Sequence, residues 1–174
     1  MSEPCGPEHL SAPWRMDYIE KAGKPSGECI FCAKPCEDCD RANCIVHRGQ
    51  TCFVILNVFP YNNGHLMVIP YQHTSELAEL TPEVQAEMMR LATLSIAALK
   101  RLMCPDGFNI GMNLGRAGGA GIAEHLHLHI VPRWVGDTNF ITTVGHTRVL
   151  PEALDRTWEK MRDAFQIVLA EASS

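Results

Sequence analysis

The stretch EHLHLHIVPRW, residues 124–134, alternates histidine with apolar residues. Successive side chains of a β-strand point to opposite faces of its sheet. The stretch therefore predicts a strand over residues 125–132, with His125, His127 and His129 on one face. The opposite face would pack into the core through three apolar side chains, Leu126, Leu128 and Ile130.

The histidine row suggests chemistry rather than an idle polar edge. Close imidazoles disfavour one another's protonation, so we expect neutral rings near pH 7, the form that acts as nucleophile or metal ligand. One tetrahedral ion cannot bind all three, because bonds of about 2.0–2.1 Å cannot span the outer pair. We therefore expect the row to divide its functions. The other histidines without partner spacing, His9, His47 and His146, are expected at the surface.

The rest of the chain predicts an α+β domain with an antiparallel sheet, because the strands form hairpins with only one long helix between them. Thr81 and Pro82 are residues preferred at the start of a helix, and an apolar face continues to about residue 103. A second amphipathic helix is predicted from Pro151. Other strands are predicted over residues 51–58, 65–70 and 108–115, with a turn at residues 59–64.

Length and composition indicate one globular domain. The chain has 174 residues, of which 46% are hydrophobic and 20% charged. Residues 1–28, with many prolines and glycines, are expected to form an irregular lead-in to a domain over residues 29–174. A net charge of −5 argues against coating of nucleic acid or binding to a membrane surface. With neither a secretory signal nor a long apolar run, a cytoplasmic protein is expected.

Five of the eight cysteines lie within residues 29–44. In a reducing compartment such a cluster favours metal binding over disulfides. One interpretation is a single four-cysteine zinc site built from two C-x-x-C pairs, Cys29/Cys32 and Cys36/Cys39, although these pairs are unusually close in sequence. The other is that most of these cysteines are unligated thiols, namely Cys36, Cys39, Cys44, Cys52 and Cys104.

A glycine-rich loop, GRAGGAG, precedes the histidine row at residues 115–121. Glycines allow backbone N–H groups to approach an anion closely, as in phosphate-binding loops. A phosphate in front of neutral histidines suggests phosphoryl or nucleotidyl transfer, in which one imidazole attacks phosphorus and forms a phosphoramidate-type intermediate.

The segment HLHLHIV, residues 125–131, matches the His-φ-His-φ-His-φ-φ signature of the histidine-triad (HIT) family of nucleotide hydrolases and transferases. Four further segments resemble family landmarks in the family order: CIFC, NVFPYNNGHLMVIP, GFNIGMNLG and VPRW. The resemblance covers about residues 12–150. APWRMDYI and HLHLHIVPRWVGDTNF most resemble the bacterial branch that contains diadenosine tetraphosphate phosphorylases.

The resemblance implies the histidine-triad fold, an antiparallel sheet of about five strands with one long helix and a C-terminal helix. It also implies a homodimer that binds a nucleotide substrate. His127 would be the nucleophile, His129 would bind phosphate and assist the leaving group, and His65 would support the triad through hydrogen bonding. Nucleotide and phosphate contacts would come from Asn57, Asn113, Gly119, Gly121 and Trp134.

For three of these binding residues the sequence leaves a structural role open. Asn57 would contact the ribose and Asn113 the phosphates, but both could be caps of turns or strand ends. Trp134 would stack on a base, or it would serve packing alone.

A structural zinc ion is also implied by the resemblance. Its ligands would be Cys29, Cys32, His73 and His125, and two sulfurs with two imidazoles suit tetrahedral zinc. The alternative is that the two cysteines are packing thiols.

One departure from the family pattern bears on the reaction. Many hydrolases of the family have Gln and then Ser or Thr where this chain has Gly121 and Ile122. A residue smaller than Gln at position 121 leaves space for phosphate as the acceptor, so that diadenosine tetraphosphate and phosphate would yield ATP and ADP. The alternatives are a hydrolase of dinucleoside polyphosphates or nucleoside phosphoramidates that uses water, and a zinc-stabilised nucleotide-binding protein without catalysis. The sequence leaves the physiological substrate and base preference open.

Overall fold

The computed structural model describes residues 29–138 and 153–172. The predicted lead-in, residues 1–28, lies outside the described residues, and so do His9, His146 and Pro151. None of the helices in the described ranges has the length and apolar character needed to cross a bilayer.

One five-stranded sheet forms the centre of the fold. Its order is β1-β2-β3-β5-β4, and every neighbouring pair is antiparallel. This confirms the predicted α+β class with an antiparallel sheet of about five strands. The strands are β1 (Ile45–Arg48), β2 (Cys52–Leu56), β3 (Leu66–Pro70), β4 (Gly107–Gly111) and β5 (Leu128–Arg133).

Two long helices cover the sheet. They pack against each other, and between them they contact four strands: β2, β3 and β5 lie against the first helix and β1 against the second. The first begins after Thr81 with proline in its first turn, as predicted, and ends at Met103, before the left-handed residue Cys104. The helices are α1 (Ile30–Cys36), α2 (Asp40–Asn43), a 3₁₀ turn (Leu77–Glu79), α3 (Pro82–Met103) and α4 (Leu154–Ala172).

The hairpin between β2 and β3 depends on Gly64. This residue has a φ of +78°, and a Cβ atom there would lie 2.8 Å from Met103 Sδ and 2.9 Å from Leu99 Cδ2. Glycine is therefore favoured by the left-handed backbone conformation, and a larger residue would also displace side chains of α3. The turn places residues 57–65 directly beside the start of β3.

The histidine strand is shorter than predicted. β5 begins at Leu128, so His125 and His127 precede it. The physical reason is that the N–H of Leu126 donates to the carbonyl of Thr74, 2.8 Å away, rather than into the sheet ladder. β4 likewise ends at Gly111 and does not extend to residue 115.

A buried carboxylate joins α3 to the β1–β2 turn. Glu87 is only 6% exposed and accepts hydrogen bonds from the N–H groups of Gln50 (2.9 Å) and Thr51 (2.6 Å), from the Thr51 hydroxyl and from Arg90 (3.0 Å). Burial alone would raise its pKa, but the hydrogen bonds from Thr51 and Gln50 hold the pKa of Glu87 below its usual range.

Glu87→Gln should lower the free energy of unfolding by about 1–3 kcal/mol, because an amide cannot accept from every donor that the carboxylate serves. In the native protein this stabilisation should be full above the ordinary carboxyl pKa and lost as acid protonates Glu87. Urea unfolding at pH 7 and at a pH below the ordinary carboxyl pKa measures both effects. Glu83→Gln, an exposed change in the same helix, is the control; equal stability of the two variants would contradict the assignment.

Candidate active site and metal cluster

A cavity lies between α1, the end of β2 and the loop that leads into β5. Predicted site residues His127, His129, Asn57, Asn113 and Gly121 line it, whereas Gly119 and Trp134 do not. The histidines therefore lie at a cavity with a largely apolar wall. The wall is formed by Ile30, Phe31, Ile55, Leu56, Val58, Phe59, Tyr61, Met67 and Ile122. The positively charged side chain of Lys34 also lines the cavity.

His127 is held in one tautomer by the backbone. Its Nδ1 lies 2.8 Å from the carbonyl oxygen of His125. A carbonyl can only accept, so Nδ1 carries the proton and Nε2 keeps its lone pair. Burial lowers the pKa of His127, which is 6% exposed, and the hydrogen bond to His125 opposes this only in part. The ring is therefore neutral near pH 7, as expected, but through burial rather than through repulsion by its neighbours.

A second chain of hydrogen bonds sets the tautomer of His129. The N–H of Tyr61 donates to His65 Nδ1 over 3.0 Å, so the neutral His65 ring carries its proton on Nε2. His65 Nε2 lies 2.9 Å from His129 Nδ1 and donates to it. The neutral His129 ring then carries its proton on Nε2. His127 thus offers a lone pair on Nε2, and His129 offers an N–H donor on Nε2. The centroids of the two rings are 4.8 Å apart.

Two aromatic rings pack against the histidines. Tyr61 lies 4.7 Å from the His65 ring and 5.7 Å from the His129 ring, with a stacked geometry on the latter. Phe31 lies 5.3 Å from the ring of His127. These contacts limit the orientations of all three imidazoles. The sequence analysis did not identify Tyr61, Phe31 or Lys34 as residues of the site. For Phe31 and Lys34 the only available signal was a short apolar run that ends in a lysine, residues 30–34.

Asn57 uses both ends of its amide within the protein. Its Oδ1 accepts from the N–H of Phe59 (3.0 Å), which turns its Nδ2 toward His65 Nδ1 (3.3 Å). It thereby adds a second donor to the nitrogen that Tyr61 already holds. Asn113 also lines the cavity, on the segment after β4.

The glycine-rich loop reaches the cavity at its last residue. Gly119 has a φ of +84°, and its N–H donates to the carbonyl of Arg116 (3.0 Å). The N–H of Ala120 donates to Gly115 (3.3 Å). These two amides are used within the loop, whereas Gly121 and Ile122 face the cavity with no polar side chain.

Trp134 lies elsewhere. Its indole N–H points to the carbonyl of Met103, 3.4 Å away, at the end of α3. This is the packing arrangement that the sequence left open beside base stacking.

Four residues that are distant in sequence form a cluster of possible metal ligands. The donor atoms of Cys29, Cys32, His73 and His125 all lie within 4.8 Å of one another. The separations include 3.4 Å from Cys29 Sγ to His125 Nδ1, 3.3 Å from Cys32 Sγ to His73 Nδ1 and 3.3 Å between the two Nδ1 atoms. Ligand atoms around a tetrahedral ion with bonds of about 2.0–2.3 Å are roughly 3.3–3.8 Å apart. The cluster fits such an ion.

His125 also has the partner that a metal-bound imidazole usually needs. Its Nε2 lies 2.9 Å from the carbonyl of Pro70 and donates to it, which leaves Nδ1 unprotonated and directed at the cysteines. Burial lowers the pKa of His125, which is 1% exposed. The structure thus separates His125 from His127 and His129, which line the cavity.

The remaining described cysteines do not form a second cluster. Among residues 29–138 and 153–172, the one group of potential metal ligands is that of Cys29, Cys32, His73 and His125, so the four-cysteine interpretation is wrong. Cys36, Cys39 and Cys104 are exposed thiols. Burial raises the pKa of Cys44, and it raises that of Cys52 to about 11, so both remain protonated.

Comparison with known proteins agrees with this geometry. The HIT domain model matches residues 41–135. The chain is 41% identical over 156 residues to an AP-4-A phosphorylase of Mycobacterium tuberculosis, which covers 86% of this chain and 80% of that protein. The chain therefore belongs to the HIT domain family.

Solved structures show the same fold. One similar structure is a Zn-bound histidine triad family protein from Mycobacterium smegmatis, with 29% identity, a TM-score of 0.68 and coverage of 83% of this chain and 97% of that one. Another is a histidine triad nucleotide-binding protein from Sulfolobus tokodaii, with 26% identity, a TM-score of 0.65 and coverage of 80% and 93%.

Proposed function

We propose that this protein is a nucleotidyl transferase that cleaves dinucleoside polyphosphates with inorganic phosphate, and that diadenosine tetraphosphate yields ATP and ADP. The observation that carries the proposal is the neutral His127 at the cavity, protonated on Nδ1 and therefore nucleophilic at Nε2. The substrate class is supported by the similarity to the AP-4-A phosphorylase of M. tuberculosis.

The reaction would proceed in two displacements. Nε2 of His127 attacks the phosphorus next to one nucleoside, an N–P bond forms, and the P–O bond to the departing ATP breaks. His129, with its proton on Nε2, donates a hydrogen bond to a phosphate oxygen or the leaving oxygen. A phosphate oxygen then attacks the same phosphorus, the N–P bond breaks, and ADP leaves with His127 restored.

The nucleoside would occupy the apolar part of the cavity. Phe31 and Ile30 of α1 line it together with Val58 and Phe59, which provides apolar surface for a base. The proposed phosphate contacts are Asn113, Gly121 and, after rearrangement of its loop, Gly119. Asn57 remains the proposed ribose contact. Trp134 remains the proposed stacking residue, although it does not line this cavity.

We further propose that the metal cluster holds a structural zinc ion through Cys29, Cys32, His73 and His125. Two thiolates and two imidazoles at tetrahedral separations suit zinc. With four protein ligands such a site is closed, so zinc would fix the structure and take no part in the chemical steps. The His125 carbonyl that orients His127 belongs to one of these ligands.

A water-dependent hydrolase is the second candidate. It would use the same histidine but would need a group that orients one water molecule. Gly121 and Ile122 supply no polar side chain at the cavity, which favours phosphate as the acceptor.

The products distinguish the two candidates. With saturating phosphate we expect diadenosine tetraphosphate to give ATP and ADP, because phosphate rather than water attacks the nucleotidyl-histidine. Chromatography of the nucleotides measures this directly. The double variant Gly121→Gln with Ile122→Thr should shift the products toward AMP.

The control for the double variant is Arg116→Gln, which places the same side chain in the same loop at an exposed position and should leave the product ratio unchanged. Mainly AMP from the native protein at saturating phosphate would establish the hydrolase instead.

Three expectations from the sequence remain predictions. They are the homodimer, the boundary between a lead-in and the domain after residue 28, and the cytoplasmic location.

A further inference from the structure

A partly buried ion pair lies at the end of β5. The side chain of Asp137 is 10% exposed and accepts from Arg133 Nε (2.6 Å), Arg133 Nη2 (2.8 Å) and the N–H of Trp134 (3.2 Å). The hydrogen bonds from the Arg133 guanidinium hold the pKa of Asp137 well below its usual range. The carboxylate is therefore ionised at any physiological pH.

Asp137 also binds a residue 75 positions earlier in the chain. One N–H of the Asn62 amide donates to Asp137 Oδ2 (2.7 Å) and the other to the carbonyl of Pro132 in β5 (3.0 Å). Asn62 is 8% exposed. The backbone carbonyl of Asn62 accepts a hydrogen bond from the backbone N–H of His65 (3.1 Å). The side-chain amide of Asn62 thus fastens the turn over residues 59–64 to the end of β5.

This turn carries one of the two donors to His65 Nδ1 that set the tautomer of the histidine pair. Tyr61 is adjacent to Asn62, its N–H holds His65 Nδ1, and its ring packs on both His65 and His129. His129 lies on β5, the same strand whose end is bound by Asn62 and Asp137. The contacts form a closed circuit from Asp137 through the turn and back to β5.

We infer that Asp137 is a positioning residue for catalysis, which acts through Asn62 to hold Tyr61, and through Tyr61 to keep His65 and His129 in the tautomers described above. The inference deepens the proposed function and, for its kinetic part, rests on it. A carboxylate that only stabilised the end of β5 would affect melting but neither the tautomers nor turnover.

The variant Asp137→Asn tests this inference. The new side-chain amide would direct its N–H₂ group at N–H donors that the carboxylate now accepts from. The hydrogen bond with Asn62 would therefore be weakened. We expect kcat to fall roughly 10- to 100-fold with KM nearly unchanged, since a small displacement of a catalytic group has effects of about this size. Imidazole ¹⁵N NMR should show a single Nε2–H tautomer for His65 and His129 in the native protein and a mixture in the variant.

The matched control is Asp40→Asn. Asp40 accepts from Arg48 Nε (2.9 Å) and Nη2 (2.7 Å), so it is an Arg-paired carboxylate of the same kind, but Arg48 lies on β1 and not on the turn. It should leave kcat and both tautomers as in the native protein. Native kcat and native tautomers in Asp137→Asn, even with a lower melting temperature, would overturn the inference.

A milder variant covers the case in which Asp137→Asn does not fold. Arg133→Lys keeps a cation beside Asp137 but replaces the two-pronged contact with a single donor. We expect a fall in kcat of about 3- to 10-fold and the same direction of tautomer change; no change in either contradicts the inference. The NMR result needs no substrate. If the native protein lacked phosphorolysis but the variant still showed the tautomer shift, the proposed function would be rejected and the positioning role supported.

Discussion

Replacing His127 with alanine is expected to reduce turnover at least about 1,000-fold, because the variant has no nitrogen at which the nucleotidyl group can be held. The apolar walls of the cavity do not depend on this side chain, so nucleotide binding should remain largely intact. His127→Asn keeps a polar group near the His125 carbonyl and should be equally inactive, which separates nucleophilicity from polarity.

Turnover is measured as release of ATP from diadenosine tetraphosphate, and binding by calorimetry with a nucleotide that cannot be cleaved. His47→Asn is a suitable control, since His47 lies on β1 with its ring stacked on Phe165 at 4.9 Å and does not line the cavity. Native-like turnover by His127→Ala would falsify its assignment as nucleophile.

Chelation of the metal is expected to lower the melting temperature by roughly 10 °C. An ion that binds only the folded state at about 1,000 times its dissociation constant contributes about 4 kcal/mol, and each kcal/mol corresponds to about 2–4 °C in a chain of this size. Purified protein should contain about one zinc per chain. Cys29→Ala should lose the zinc and melt near the temperature of the chelated protein.

Cys36→Ala provides the comparison. Cys36 lies on the same helix as Cys32, is exposed, and donates to the carbonyl of Cys32 (3.2 Å). Zinc content and melting temperature should be unchanged in this variant. An unchanged zinc content in Cys29→Ala, or the absence of zinc from the native protein, shows that the ligand set is wrong.

The parts of the fold that were predictable have strong local patterns. The α3 helix has a preferred start and a long apolar face, and its bounds match the prediction. β1 was missed, because four residues give no periodicity that separates a strand from other apolar runs. α1 was missed because it contains Pro35 and two cysteines, Cys32 and Cys36, and neither residue type favours a helix.

The surroundings of the candidate site were less predictable than its histidines. Alternation predicted that His125, His127 and His129 are close, but it could not show that the first faces the cysteines. The placement of Tyr61 depends on the contact of Asn62 with β5, which is a tertiary contact. His47 was expected at the surface, yet it is partly buried against Phe165, because β1 was not recognised.

The α1 helix belongs to two sites at once. It has only seven residues, too few for a stable helix by itself, and it begins directly after Cys29. Cys32 turns toward the metal cluster while Phe31 turns toward the cavity. Under zinc deprivation, we therefore expect substrate binding to weaken before the chemical step does. The nucleophile would remain, but one wall of the base pocket would be lost. KM would therefore rise while kcat changed little.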